Sequence, residues 1–300
     1  MIVYLDQNKW IELAKMVHGK DKSARAARVL HSFEAAGDAG HVKYPLSSSH
    51  YIEISRISNV DRKVRLGSAM WRFSRGITII GYQAVVRYEL EVALAKYFPQ
   101  ITPASITILG RGHAHAFYSP PLQGVLAVFE EAVESSMLTG NKLLGIQPAA
   151  SYSMTHRENF RQHLSTLHAR YNDVPKELRE NWLYAISIVD ILNPINDVMS
   201  KHGLSNAAMD GLGEQRLKQM IDDSPTRRVD MHLHKQVLRN TRYVARLTDL
   251  EDWGGLALAS CYCDVVVCEK HMADMLRRDG FKTRARVEVD LENTFAPTAA

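Results

Sequence analysis

Met1-Ile-Val-Tyr-Leu-Asp-Gln-Asn8 is the stretch whose reading decides the fold. Ile2, Val3, Tyr4 and Leu5 form a short apolar run with β-branched and aromatic members, the texture of a buried strand. The run stops at Asp6, and helical periodicity begins at once, with Trp10, Leu13, Ala14 and Val17 on one face. A carboxylate at the C-terminal edge of a buried strand lies at the crevice where open α/β sheets bind ligands. Asp6 or Asn8 also suits the N-cap of the helix that follows. The stretch alone leaves both roles open, so the rest of the chain has to separate them.

The same texture returns near the other end. Asp264-Val-Val-Val-Cys268 reads as a second buried strand that again ends in charge, at Glu269-Lys270. Ahead of it, Thr248 and Glu251 have capping-box spacing, which starts a helix at Asp249 with Asp252 just inside it. Thr283–Val289 alternates like a final strand. Near the start, His41–Leu46 looks like an edge strand closed by Pro45, and Ser47, Ser48 or Ser49 can cap a helix carrying Glu53. Between these parts, from about Tyr82 to Arg246, helical patterns dominate, broken by loops such as Tyr118-Ser-Pro-Pro-Leu122. Gly76–Gly81 is a short apolar run that fits a strand or a connection. The division this predicts is an α/β core of residues 1–66 plus 245–300, interrupted by an all-helical insertion over 67–244.

Composition bounds the class. Three hundred residues, 46% hydrophobic and 23% charged, are enough for one large or two ordinary domains with a sizeable core. No apolar run approaches the roughly 20 residues that span a bilayer. The chain enters a strand without the basic and apolar regions of a signal peptide, so the cytoplasm is the expected compartment and no membrane partner is expected. A net charge of +4 permits nucleic-acid binding without demanding it. Cys261, Cys263 and Cys268 are odd in number and lack zinc spacing, which points to reduced thiols.

Four acids recur in comparable places: Asp6 and Glu269 after strands, Glu53 and Asp252 near helix starts. Parallel strands with right-handed crossovers can bring such positions to one sheet edge. Carboxylates brought together repel, by about 4 kcal/mol per pair at 4 Å and an effective dielectric of 20. Mg2+ or Mn2+ neutralises such a cluster, because hard cations take oxygen ligands and keep several waters. Metal-bound water can then attack a phosphodiester.

At this point the residues resemble a known family. Ile-Val-Tyr-Leu-Asp6 is similar to the opening strand of PIN-domain nucleases. Glu53, after Pro-Leu-Ser-Ser-Ser-His, resembles the second acid of that family. Asp249-Leu-Glu-Asp252-Trp-Gly-Gly-Leu-Ala-Leu-Ala, followed by Asp-Val-Val-Val-Cys-Glu269, resembles its third acid, alanine-rich helix and acid-ended strand. The likeness covers roughly residues 1–66 and 244–290. It implies a mostly parallel sheet core, metal-dependent endoribonuclease activity with Mg2+ or Mn2+ on Asp6, Glu53, Asp252 and Glu269, and RNA as partner. A toxin, a defence effector and a processing enzyme share this pattern, and an inhibitory or effector protein and self-association are both compatible with it. The last strand departs from the family by ending in Cys268-Glu269 rather than Thr-Asp or Ser-Asp. The third acid is Asp249 or Asp252; spacing to Leu256-Ala257 favours Asp252. The rival classes are a non-catalytic PIN-like binding module and a protein–protein adaptor built on the helical middle.

Other signals weigh less. His113-Ala-His115 and His232-Leu-His234 have no evident third ligand. Arg157 and His163 have the Arg-x5-His spacing of helical HEPN ribonucleases, but that spacing is cheap in a sequence rich in both residues. Lys9 and Lys270 could reach a phosphate, although lone lysines usually serve solubility.

Overall fold

A computed structural model describes residues 1–141, 146 and 154–296. Its centre is a three-stranded parallel sheet in the order β1 (Val3–Leu5), β4 (Val265–Val267), β5 (Arg286–Glu288). Val3, Tyr4 and Leu5 face Val265, Val266 and Val267 in register, so the first and last parts of the chain pair directly. On the other side of β1, Ile2 makes a parallel bridge to Lys43, and Leu46 bridges to Thr78 of β2 (Ile77–Ile79). β2 pairs antiparallel with β3 (Leu109–Arg111). The extended segment around Lys43–Leu46 thus ties the two sheets together. It accepts the Val3 amide at 2.9 Å on one side and donates the Leu46 amide to Ile77 at 3.0 Å on the other. The architecture is α/β.

All three residues of β1 and of β4 are buried, which explains why neither strand alternates in polarity. Side chains go alternately to two layers. Val3, Leu5, Val265 and Val267 pack with Trp10, Leu13, Phe33, Tyr44 and Tyr51. Tyr4, Val266 and Val287 face Leu233, Val237, Leu256, Ala257 and Met272. Helices α1 (Gln7–Val17), α2 (Ala24–Asp38), α3 (Ser48–Ser55) and α4 (Val60–Ser74) supply the first layer. The Pro225–Arg239, Asp249–Tyr262 and Lys270–Arg277 helices supply the second.

The middle of the chain differs from expectation in two respects. It holds strands β2 and β3 as well as helices. The expected boundary between residues 66 and 67 falls inside α4, whose Leu66, Ala69, Met70 and Phe73 are buried in the same core as β1. Helix α5 (Tyr82–Ala95) connects the layers: Ala84 and Val85 join the second face of the sheet, while Val86, Leu90 and Leu94 join a separate helical core with Ile195, Val198, Met220 and Ile221. The helical block therefore lies against the sheet rather than simply projecting from it. No helix among the described residues is long and apolar enough to cross a membrane.

Candidate functional site

The end of β1 is locked in place by one histidine. The His50 ring accepts the Ser47 amide at Nδ1 (2.9 Å) and donates from Nε2 to the Leu5 carbonyl (2.8 Å). Burial lowers its pKa to about 4, so the ring stays neutral and keeps this donor–acceptor arrangement. This clamp sets α3, which carries Glu53, against the strand that ends in Asp6. A second close approach brings in the Asp249–Tyr262 helix. A Cβ on Gly255 would lie 2.5 Å from the Tyr4 hydroxyl and 3.2 Å from Ser49 Oγ, so only glycine lets that helix sit so near β1 and α3.

Asp6 performs the capping role that its position suggests, Oδ1 accepting the Gln7 amide at 2.8 Å. It also lines a cavity of about 20 Å³ with Asn8, Asp252, Glu269 and His271, beside Tyr4, Leu256, Cys268 and Met272. That is room for about one water or ion. Glu269 accepts a hydrogen bond from the Asn8 side-chain amide and lies 3.2 Å from His271 Nδ1. Glu53 does not line this cavity, but it is close enough to Asp252 and Asp6 for their charges to act on it. The structure thus gathers Asp6, Asp252 and Glu269 around one point and leaves Glu53 at its edge.

The electrostatics are those of crowded, covered carboxyls. Burial, then the charge of Glu269, raises Asp6 to about 6 against the helping Gln7 amide and Lys9. Burial, then Asp6, raises Asp252 to about 7, with Arg246 pulling the other way. Burial, Asp252 and Asp6 hold Glu53 well above the ordinary carboxylate range. Neither the Asp252 nor the Glu53 carboxylate has a hydrogen bond or an ion pair among the described residues.

The neighbouring acids have other work. Asp249, 1% exposed, accepts from the Tyr243 hydroxyl (2.6 Å), the Arg246 amide (2.7 Å) and Arg246 Nε (3.2 Å). Glu251 does not close the expected capping box. Thr248 has helical dihedrals and makes no side-chain cap, and the buried Glu251 instead pairs with Arg56 and, at 3.2 Å, with Arg157. Sequence spacing alone could not have told these three acids apart.

Among the described residues, the group of His, Cys, Asp or Glu side chains with ligand atoms all within 4.8 Å of one another is Asp190, Asp230 and His234, not the four expected acids. Arg227 already serves this group, 2.9 Å from Asp230 and 3.7 Å from Asp190, and His163 lies 3.3 Å from Asp190. The signal for part of it was present: Arg227, Asp230 and His234 follow i, i+3 and i+7 spacing on one helix face. His232 and His115 have structural partners. His232 donates from Nε2 to the Met275 carbonyl at 2.8 Å and stacks on Phe281, and His115 is held by Thr78 and Thr107. All three cysteines are free thiols. In comparisons with family models, with curated proteins and with solved structures, nothing matches the chain.

Proposed function

We propose that this chain is a PIN-like, metal-dependent nuclease, an endoribonuclease by its resemblance, acting as a toxin, a defence effector or a processing enzyme. One observation supports the reading above others. Asp6, Asp252 and Glu269 converge on one small cavity at the C-terminal ends of β1 and β4, where Asp252 has no ion pair among the described residues. The donors fit a hard divalent ion: all are carboxylate oxygens, their charges oppose one another, and the space admits one ion-sized occupant. Asp6 and Asp252 would hold Mg2+ or Mn2+ directly, with Glu269 or Glu53 completing the set.

Bound there, the ion supplies charge stabilisation and an activated water. The chain's own groups do the positioning. The Asn8 amide and His271 fix the Glu269 carboxylate. The His50 clamp keeps Asp6 at the strand end. Lys9, which lies 3.5 Å from Glu12 and lowers the Asp6 pKa, adds positive charge beside Asp6. Mg2+ commonly takes only one or two protein carboxylates and fills its shell with water, so acids spread beyond 4.8 Å suit it.

That same spread favours the second reading, a non-catalytic PIN-like nucleic-acid-binding or interaction scaffold. Cleavage of a labelled single-stranded RNA separates the two. Metal-stripped protein refilled with Mn2+ should cut, and Asp6→Asn should lose at least a hundredfold in rate while keeping its fold. Unchanged cleavage in that variant refutes the nuclease assignment; RNA binding with no cleavage by the wild type establishes the scaffold.

A further inference from the structure

A second cavity, of about 250 Å³, lies between the α3 N-terminus, the Asp249–Tyr262 helix and two helices of the middle block, Met154–Tyr171 and Pro225–Arg239. It shares the first turns of the Asp249–Tyr262 helix with the acid site. Glu251 and Gly255 face this cavity, and Asp252 and Leu256 face the acidic one. We infer that it is a nucleobase pocket, holding one base of the strand presented to the acids.

The wall is aromatic. Tyr82, Phe160 and Trp253 line it, with the edges of Phe160 and His234 set against the Trp253 ring at 5.8 and 4.9 Å. Single-stranded RNA is bound by proteins through such surfaces, with unstacked bases on aromatic faces and side chains reading their polar edges.

Polar side chains stand among the aromatics. Ser48, Gln83 and His163 line the cavity and carry hydroxyl, amide and imidazole donors and acceptors for the edge of a planar ligand. Arg227 Nε, His234 Nε2, Trp253 Nε1 and Glu251 Oε2, without hydrogen bonds among the described residues, are covered atoms of the lining and do not open onto the cavity. A ligand that matches this wall carries donors and acceptors on one rim.

Charge narrows the class further. Arg227 is matched by Asp190 and Asp230, while Arg56 and Arg157 are matched against Glu251. An anion meets the three carboxylates, and a metal ion on Asp190, Asp230 and His234 has to displace the Arg227 guanidinium. A neutral, planar, hydrogen-bonding heterocycle meets neither obstacle.

That the base belongs to RNA rests on the nuclease reading; the affinity for a nucleoside does not. The test uses full-length Asp6→Asn protein in chelator, titrated with adenosine, guanosine, cytidine and uridine and followed by tryptophan fluorescence and calorimetry. At least one nucleoside should bind saturably. Gly254 lines the cavity and has open space where a Cβ would go, so Gly254→Leu adds bulk at the cavity wall and should weaken binding at least tenfold. Absence of binding by all four nucleosides overturns the proposal, as does equal binding by Gly254→Leu. So does tight Mn2+ binding that Asp230→Asn abolishes, which would make the cavity a metal site. Nucleoside binding without RNA cleavage by the wild type supports the pocket and refutes the nuclease reading; cleavage without nucleoside binding does the reverse.

Discussion

Replacing Asp252 by asparagine in metal-free protein should make it more stable at about pH 8, an unusual outcome for a change at a partly buried polar site. The Asp252 carboxyl is raised from 3.8 to about 7, by burial first and then by Asp6. At roughly 1.4 kcal/mol per pH unit, ionising it in the folded state costs roughly 4 kcal/mol relative to the unfolded chain. Part of that cost is shared with Asp6, so one substitution should recover about 2–4 kcal/mol. The direction with pH follows from linkage. Between its unfolded and folded pKa values the folded protein binds more protons at this site, so stability falls as pH rises through about 7. Asparagine has no such titration. The gap between the proteins should therefore be widest above pH 7 and close as the pH falls toward 4. Manganese should reverse the order, stabilising the wild type and leaving Asp252→Asn nearly unmoved. Urea unfolding across this pH range, with and without Mn2+, measures all of it. If Asp252→Asn is less stable than the wild type at high pH without metal, the carboxylate is making a structural bond and the repulsion argument fails.

The opposite behaviour is expected of its neighbour. Asp249→Asn should cost about 1–3 kcal/mol of stability, because its buried oxygens accept from Tyr243 and Arg246, while Mn2+ affinity by calorimetry changes little. Greater damage to metal binding than Asp252→Asn produces would exchange the two roles. Glu251→Gln should be the most destabilising of the three, by about 3–5 kcal/mol in urea unfolding, since it leaves Arg56 and the buried Arg157 without their counter-charge. A loss below about 1 kcal/mol would show that water or another acid already serves those arginines.

Much of the frame was legible because it is written in local pattern. Ile2–Leu5 and Val265–Val267 are apolar without alternation, and only strands covered on both faces read that way; they are the paired centre of the sheet. A helix start among Ser47, Ser48 and Ser49 and the thiol character of the cysteines also followed from neighbours in sequence, with Ser47 the cap in the structure. The place of α4 and β2 was less legible. Val60–Ser74 has the periodicity of any amphipathic helix, and nothing local says whether its Met70 and Phe73 face the β1 core or another one.

By itself, then, the amino-acid order determined the two central strands, most of the helices and that acids stand where strands β1 and β4 end. Tertiary structure decided what Glu251 and Asp252 touch, whereas Asp249 finds Tyr243 and Arg246 among its own sequence neighbours. Asp249, Glu251 and Asp252 lie within four residues of one helix start, yet one is satisfied by Tyr243 and Arg246, one by Arg56 and Arg157, and one is left facing Asp6 across a small cavity. Spacing reports which face of a helix a side chain occupies. The partner waiting at that face comes from elsewhere in the chain, 195 residues away for Arg56 and Glu251. The same holds for Asp190, which only the packing of two helices brings to Arg227, itself three residues from Asp230 on one helix. Backbone propensity is settled within a turn or two, whereas charge pairing is settled by which surfaces the apolar cores press together.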